Sequence, residues 1–325
     1  MTATAPGSSR RSIDRLLHLG NVVIDLVLTV PALPDRGTDV LAAASRATPG
    51  GGYNVMAAAA RQGLPVAYAG AHGSGPFAAL ARSGLAQAGI DVLQPPKADL
   101  DTGVVVAIVD DEGERTFVTA PGAEARLTAD DLGAVPARPG DAIYLSGYGL
   151  AYDSNRPALL GWLAQLNGSN LVIFDPGPLL DQIPGPALAS VMRRADWLTC
   201  NAREAAILTG EADPAAAALA LAGRRPDARA GGVIVRAGPD GCLLAHDDGD
   251  PVHVPGFPVA AADTSGAGDT HTGTFIAALA RGATDIEAAR LANAAAAWSV
   301  TRRGPATAPT ARELARFLAR SAATG

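Results

Sequence analysis

Apolar, β-branched runs alternate with segments of helical period along nearly the whole chain, and this alternation restricts the fold more than any other feature. The run "RLLHLGNVVIDLVLTV" predicts a buried first strand ending near Gly20 or Asp25. "YNVMAAAARQGL" predicts a helix closed by Gly63, and "PFAALARSGLAQAGI" a helix ending at Gly89. The pattern resumes with the strands "DAIYLSGYG", "NLVIFDPGP" and "DWLTCN", each followed by a helical segment. Strands separated by helices form a mostly parallel sheet covered on both faces, so the expected class is a doubly wound α/β fold. Such sheets bind ligands in the crevice beyond the carboxyl ends of their strands.

Two stretches break the rule. Residues of about 26–50 and 101–120 are β-rich with no helix between their strands, and "DDEGER" marks a hairpin turn in the second. They predict a small second sheet that projects as a lid. The start, "MTATAPGSSRRSIDR", carries two arginines but no apolar segment after them, and residues 1–14 read as a flexible tail. Residues 15–322 read as a single α/β domain.

Composition narrows the partners. At 48% hydrophobic and 18% charged, the 325 residues build a sizeable core. A net charge of −6 and a pI near 5.4 argue against nucleic acid as the main partner, while backbone dipoles can still hold a small anion. No run reaches the roughly 18 apolar residues of a membrane span. Cys200 and Cys242 have no metal-ligand spacing and read as buried, reduced thiols, which fits a cytoplasmic location.

The chemistry concentrates in "DTSGAGDTHTGTF", residues 263–275. Gly266, Ala267 and Gly268 precede a helical pattern, so the backbone can approach a ligand closely there. The first N–H groups of a helix lack internal partners, and with the helix dipole they suit an anion, typically phosphate. Asp269 then lies beside that anion, placed to take a proton from a hydroxyl that attacks phosphorus. The plainer alternative is a helix cap, with Asp269 as a capping acid.

"DTSGAGD" resembles the C-terminal signature of the ribokinase-like (PfkB) carbohydrate kinase family, D-T-x-G-A-G-D, whose last Asp is the catalytic base. Further stretches match in order: "GNVVID", "PGGGYN", "NAREAAILTG", "VRAGPDG" and "ANAAAAWSVTRRGPATAPT", so the resemblance covers residues of about 15 to 320. It implies a ribokinase-like fold and a set of roles. Asp269 would deprotonate the acceptor, and the amides of Gly266, Ala267 and Gly268 would stabilise the transferring phosphoryl group. Asp25, Gly51 and Asn54 would hold substrate hydroxyls. Asn201, Arg236, Gly238, Gly241, Gly268 and Asn293 would line ATP. Glu204 would hold magnesium through water. Asp263, Ser265 and the carbonyls of Ser299, Arg302 and Gly304 match a potassium site.

Plainer readings stand beside these. Asn201 and Glu204 also fit an N-cap and its box partner, Asp25 a turn residue, and Arg236 a solvated strand residue. His72, His246 and His253 show no ligand spacing and read as surface or loop residues; His271 reads as a bystander on another helix face. The chain also departs from the family. Gly75 and Ala78 replace the acid and the second glycine of Gly-x-Asp-x-x-Gly. Pro49 stands at the first position of the glycine pair, Val23 where ribokinase has Asn, and Ala308 where a Ser would donate an oxygen.

The resulting expectation is an ATP-dependent kinase acting on a primary alcohol of a sugar or sugar-like molecule. A nucleoside kinase of the same fold is the first alternative, with Tyr53 and Phe117 as aromatic lid candidates. A catalytically silent sugar-binding regulator is the alternative of another class. An oxidoreductase is disfavoured, because no G-x-G-x-x-G follows the first strand. The resemblance also implies homodimers paired through the lid.

Overall fold

The computed structural model describes residues 11–225, 231–247 and 249–323. The large sheet contains β1 (Arg15–His18), β4 (Val66–Tyr68), β5 (Asp91–Val92), β8 (Asp141–Ser146), β9 (Leu171–Asp175), β10 (Trp197–Asn201), β11 (Gly232–Arg236), β12 (Gly241–Ala245) and β13 (Val252–Pro255). Its order is β13-β12-β11-β10-β9-β8-β1-β4-β5. All neighbours are parallel except at the β11–β12 and β12–β13 edge. The expected doubly wound, mostly parallel sheet is thus the observed one.

Side chains alternate between two cores, as a sheet buried on both faces requires. Leu17, Ile143, Leu145, Phe174, Cys200 and Val235 face one core. This core is covered by α3 (Ala129–Gly133), α4 (Gly147–Ala151), α5 (Asn155–Ala164), α6 (Gly185–Arg194), α7 (Ala202–Thr209) and α8 (Pro214–Ala222). Leu16, Tyr144, Ile173, Trp197 and Ile234 face the other. That side is covered by α1 (Tyr53–Arg61), α2 (Pro76–Gln87), α9 (Ala267–Ala280) and α10 (Asp285–Val300), with α11 (Ala311–Ala323) packed on α10. Both cysteines are fully buried, and burial pushes their thiols up, so they are packing residues as expected.

The first strand is not one strand. The chain leaves the large sheet after His18 and re-enters β structure as β2 (Val22–Thr29) of a second sheet. Its break has a local cause. His18 Nδ1 accepts the Gly20 N–H at 2.9 Å, and a Cβ at Gly20 would sit 2.4 Å from the His18 ring, so only glycine fits that corner. The second sheet has the order β3-β2-β6-β7, with β3 (Ala44–Gly51), β6 (Val104–Val109) and β7 (Arg115–Ala120). These spans shift the expected lid by a few residues at its ends. The "DDEGER" turn joins β6 to β7 as read, with Gly113 at φ 82° and Val109 opposite Arg115.

The expected tail is shorter at its inner end. Arg11 pairs with buried Asp196 at 2.9 Å and Ile13 is buried, so residues 11–14 are docked, while 1–10 lie outside the described residues. His72, read as a surface or loop residue, lies in a loop but is buried, with Nε2 3.0 Å from the Gln94 carbonyl.

Helices α1 and α9 cross at Gly273. A Cβ there would lie 2.3 Å from Val55 O and 2.7 Å from Ala58 Cβ. Backbone cannot yield as a flexible side chain does, so Gly273→Ala is expected to destabilise the protein by about 1–3 kcal/mol in denaturant unfolding. Because α1 carries Asn54 and α9 carries Asp269, the same change should pull the site apart. Unchanged stability would show that the helices separate freely.

Candidate active site

Polar residues end the central strands of an otherwise apolar sheet: Ser146 on β8, Asp175 on β9, Asn201 on β10 and Arg236 on β11. They stand at the carboxyl edge, where an open parallel sheet leaves its crevice. Arg236 is not solvated. Its Nη1 donates to Asp175 Oδ2 at 2.9 Å, Thr199 Oγ1 at 2.7 Å and Thr272 Oγ1 at 3.2 Å, and its Nη2 lies 3.8 Å from Glu204 Oε2. Burial opposes its charge, but Asp175 and Glu204 hold it firmly protonated.

Gly268 sits on top of this guanidinium; a Cβ there would be 3.4 Å from Arg236 Nε. The preceding Gly266 caps α9 in the left-handed region, at φ 68°. A Cβ at Gly266 would also strike Pro305 O at 2.1 Å, so the position demands glycine twice over. The Gly266 carbonyl accepts the Thr270 N–H at 2.8 Å and starts the helix. The guanidinium of Arg236, paired with Asp175 and Glu204, therefore lies beneath the N-terminus of α9.

Asp269 occupies the first turn of α9 and accepts from Asn54 Nδ2 at 3.1 Å. Burial pushes its carboxyl up to about 7; the Asn54 hydrogen bond and Arg236 pull it down, while Asp175 and Asp25 push it up. Asp25, on β2, lies over Gly50, where a Cβ would be 2.1 Å from Asp25 Oδ2. Burial raises Asp25 to about 6, against the pull of Arg46. Asp25 is paired in register with Thr48, so both project from one face. Thr48 Oγ1, Asn54 Oδ1 and Asn21 Oδ1 are buried without a hydrogen-bond partner. Gly51 is in the left-handed region at φ 61°, and Gly52 donates to Asn21 O at 2.7 Å. Thus Asp25, Gly51, Asn54 and Asp269 gather where the small sheet meets the large one.

Asn201 and Glu204 do form a capping box. Asn201 Oδ1 accepts the Glu204 N–H and Glu204 Oε2 accepts the Asn201 N–H, each at 2.8 Å. Glu204 is buried and raised, by burial first and then by Asp175. Its Oε2 already faces Arg236 and the Asn201 N–H, and any hard divalent cation there would be held through water. Gly238 and Gly241, at φ 62° and 98°, form the turn after β11. Asn293 turns inward. Its Nδ2 donates to Val254 O at 2.9 Å and Pro255 O at 3.2 Å, and its Oδ1 lies 3.1 Å from His271 Nε2. His271 is buried and held neutral, its pKa lowered to about 3 chiefly by burial, and it shares this support role.

The potassium set fits less well. Asp263 Oδ1 accepts from Arg115 Nη2 at 2.7 Å and from Ser265 N at 2.9 Å, and Oδ2 from Gly304 N at 2.9 Å. Thr307 Oγ1 lies 3.1 Å from the Ser299 carbonyl and 3.2 Å from that of Gly304, and Arg302 N donates to Ser299 O at 3.0 Å. Protein donors, one of them a cation, already face these oxygens.

Several residues escaped sequence reasoning. Asp175 anchors Arg236. His18 lies under the glycine loop, where a Cβ at Gly52 would meet its ring at 2.2 Å; burial holds it neutral, near 3. Tyr148 is pushed up by burial and by Asp269, Asp175, Asp25 and Glu204, so its phenol stands among the site acids. Arg115 reaches in from the small sheet. The absent acid at Gly75 is replaced from elsewhere: Asp101 accepts the Phe77 and Ala78 N–H groups at 3.1 and 2.7 Å and caps α2.

The chain is similar to known proteins over most of its length. Residues 14–312 match the family described as pfkB family carbohydrate kinase. The uncharacterized sugar kinase YegV of Escherichia coli (strain K12) is 33% identical over 308 residues, 94% of either chain. An ATP-dependent ribose-1-phosphate kinase of Halopiger xanaduensis is 33% identical over 311 residues, covering 94% of this chain and 98% of the relative. Among solved structures, the aminoimidazole riboside kinase of Salmonella enterica, complexed with aminoimidazole riboside and an ATP analog, superposes with a TM-score of 0.76. It is 26% identical, covering 94% of this chain and 99% of that one.

Proposed function

The chain belongs to the pfkB family of carbohydrate kinases, and from that premise we propose that it transfers the γ-phosphoryl group of ATP to a primary alcohol of a sugar or sugar-like molecule. The observation that carries this reading is Asp269, a carboxylate raised to about 7 in the first turn of α9, next to Asn54. A base poised near neutral pH takes the acceptor proton, and the amides of Gly266, Ala267 and Gly268 meet the charge of the transferring group. Arg236 strengthens that anion hole from below. Asp25, Asn54, Gly51 and the unpartnered oxygens of Thr48 and Asn21 suit a ligand with several hydroxyls.

Asn201, Gly238, Gly241 and Gly268 line the nucleotide in this reading, and Asn293 supports the end of β13 beside it. Glu204 would hold magnesium through water in this reading, and the ion would neutralise phosphate charge. Among the described residues no single helix is long and apolar enough to cross a membrane. The exposed Phe117 on β7 lies on a face through which lids would pair in a homodimer.

A nucleoside acceptor needs an aromatic face against its base. Tyr53 donates to Gly84 O at 3.4 Å and Phe117 is 59% exposed, while burial and then Asp269 and Asp175 raise the Tyr148 phenol, which makes Tyr148 the ring to test for that reading. The test is ATP consumption against ribose, deoxyribose, fructose, sugar phosphates, keto-deoxy-gluconate, adenosine, inosine and pseudouridine, with magnesium. A sugar or sugar phosphate is expected to be consumed well ahead of any nucleoside. Turnover on nucleosides alone reverses the choice, and ATP binding without any turnover favours a silent regulator.

A further inference from the structure

We propose that Arg115 is a positioning residue for phosphoryl transfer: its guanidinium, carried by the small sheet, fixes the anion loop through Asp263 in place of a monovalent cation. This rests on the kinase reading above. The chain of contacts is short and continuous. Arg115 Nη2 lies 2.7 Å from Asp263 Oδ1. The same carboxylate takes the Ser265 and Gly304 N–H groups, both at 2.9 Å. Ser265 leads directly into Gly266, and the segment after Gly304 presses on Gly266 through Pro305 O. One carboxylate thus joins the β7 end of the small sheet, the loop that caps α9 and the loop that follows α10.

Charge explains why a metal cation is displaced. A potassium ion in this oxygen set would share Asp263 with a guanidinium already in contact, and like charges at one carboxylate repel. The pair is partly shielded, with side-chain exposures of 31% and 16%, so salt weakens it less than an open surface pair. Burial works against the Asp263 charge, yet the N–H groups of Ser265 and Gly304 together with Arg115 hold its carboxyl below the ordinary range. A second lid arginine lies close to the same loop: a Cβ at Gly304 would be 2.9 Å from Arg46 Nη1. Because Arg115 opens β7 just after the hairpin turn, its hold makes the anion loop sensitive to where the small sheet sits.

The test is amide hydrogen exchange on the full ligand-free chain, in tetramethylammonium chloride and in potassium chloride at equal ionic strength. Wild type is expected to protect Ser265 and Gly304 equally in both salts. Arg115→Met should exchange these amides about tenfold faster without potassium and recover when it is added. Arg115→Lys, which keeps the charge but loses the fork, should fall between. Calorimetry with ATP and magnesium supplies the functional arm: about tenfold weaker binding in Arg115→Met, and no potassium response in wild type. Potassium that slows exchange in wild type, or an Arg115→Met variant that exchanges like wild type, overturns the proposal. Wild type that shows the expected exchange but binds no ATP leaves the ion pair in place and removes the kinase reading, and with it the role in transfer.

Discussion

Asp269→Asn is expected to lower phosphotransfer by about two to four orders of magnitude, because the amide keeps the shape of the carboxylate and cannot accept the acceptor proton. Wild-type kcat/KM should carry the signature of the same group. A base with a pKa near 7 is protonated and idle below that value, so activity should rise with pH through about 7 and level off above it. Stability should move the other way. The folded state binds a proton on Asp269 more tightly than the unfolded chain does, so its ionisation costs stability as pH rises from about 4 to 7. Asp269→Asn should therefore be more stable than wild type at pH 8, by on the order of 2–4 kcal/mol, with the difference closing toward pH 4. Kinetics across pH and paired denaturant unfolding check both halves. A variant that retains most of its turnover would show that the acceptor loses its proton by another route.

The alternation of strand and helix was enough to read the large sheet, because a sheet buried on both faces writes itself as uninterrupted apolar runs. It was not enough to see the break after His18, since both halves of that run are apolar and β-branched. What turns the chain is a side-chain contact, His18 Nδ1 on the Gly20 N–H, which no periodicity reports. The anion loop was legible because glycine and small residues before a helix have a local reason. Asn201 and Glu204 were ambiguous from spacing, and the capping box forms without removing Glu204 from the site. Arg115 and Asp175 were hidden for a different reason. Arg115 meets Asp263 across 148 residues, and Asp175 reads only as part of the strand "NLVIFDPGP" until Arg236 is set beside it. Arrangements that depend on distant partners are specified by the topology, and a single sequence shows only one partner at a time.

Arg236→Met is expected to destabilise the protein by about 3–5 kcal/mol, since it leaves Asp175 and Glu204 as uncompensated acids in the interior. The methionine fills much the same space, so packing loss contributes little and charge dominates. The pH dependence separates the two. Without the guanidinium, Glu204, whose carboxyl burial already raises, resists ionisation further, and the variant can relieve itself by taking up a proton. Its deficit should therefore be larger at pH 8 than at pH 5, whereas a deficit from packing would be the same at both. Adding Asp175→Asn to Arg236→Met should restore part of the lost stability, because one of the stranded charges is gone, although Asp175→Asn alone should destabilise. ATP affinity should not recover with stability, because the positive charge beneath Gly268 is still missing. Equal loss at both pH values, or a double variant no more stable than Arg236→Met, would show that Arg236 serves as bulk and that the anion hole stands on the α9 backbone alone.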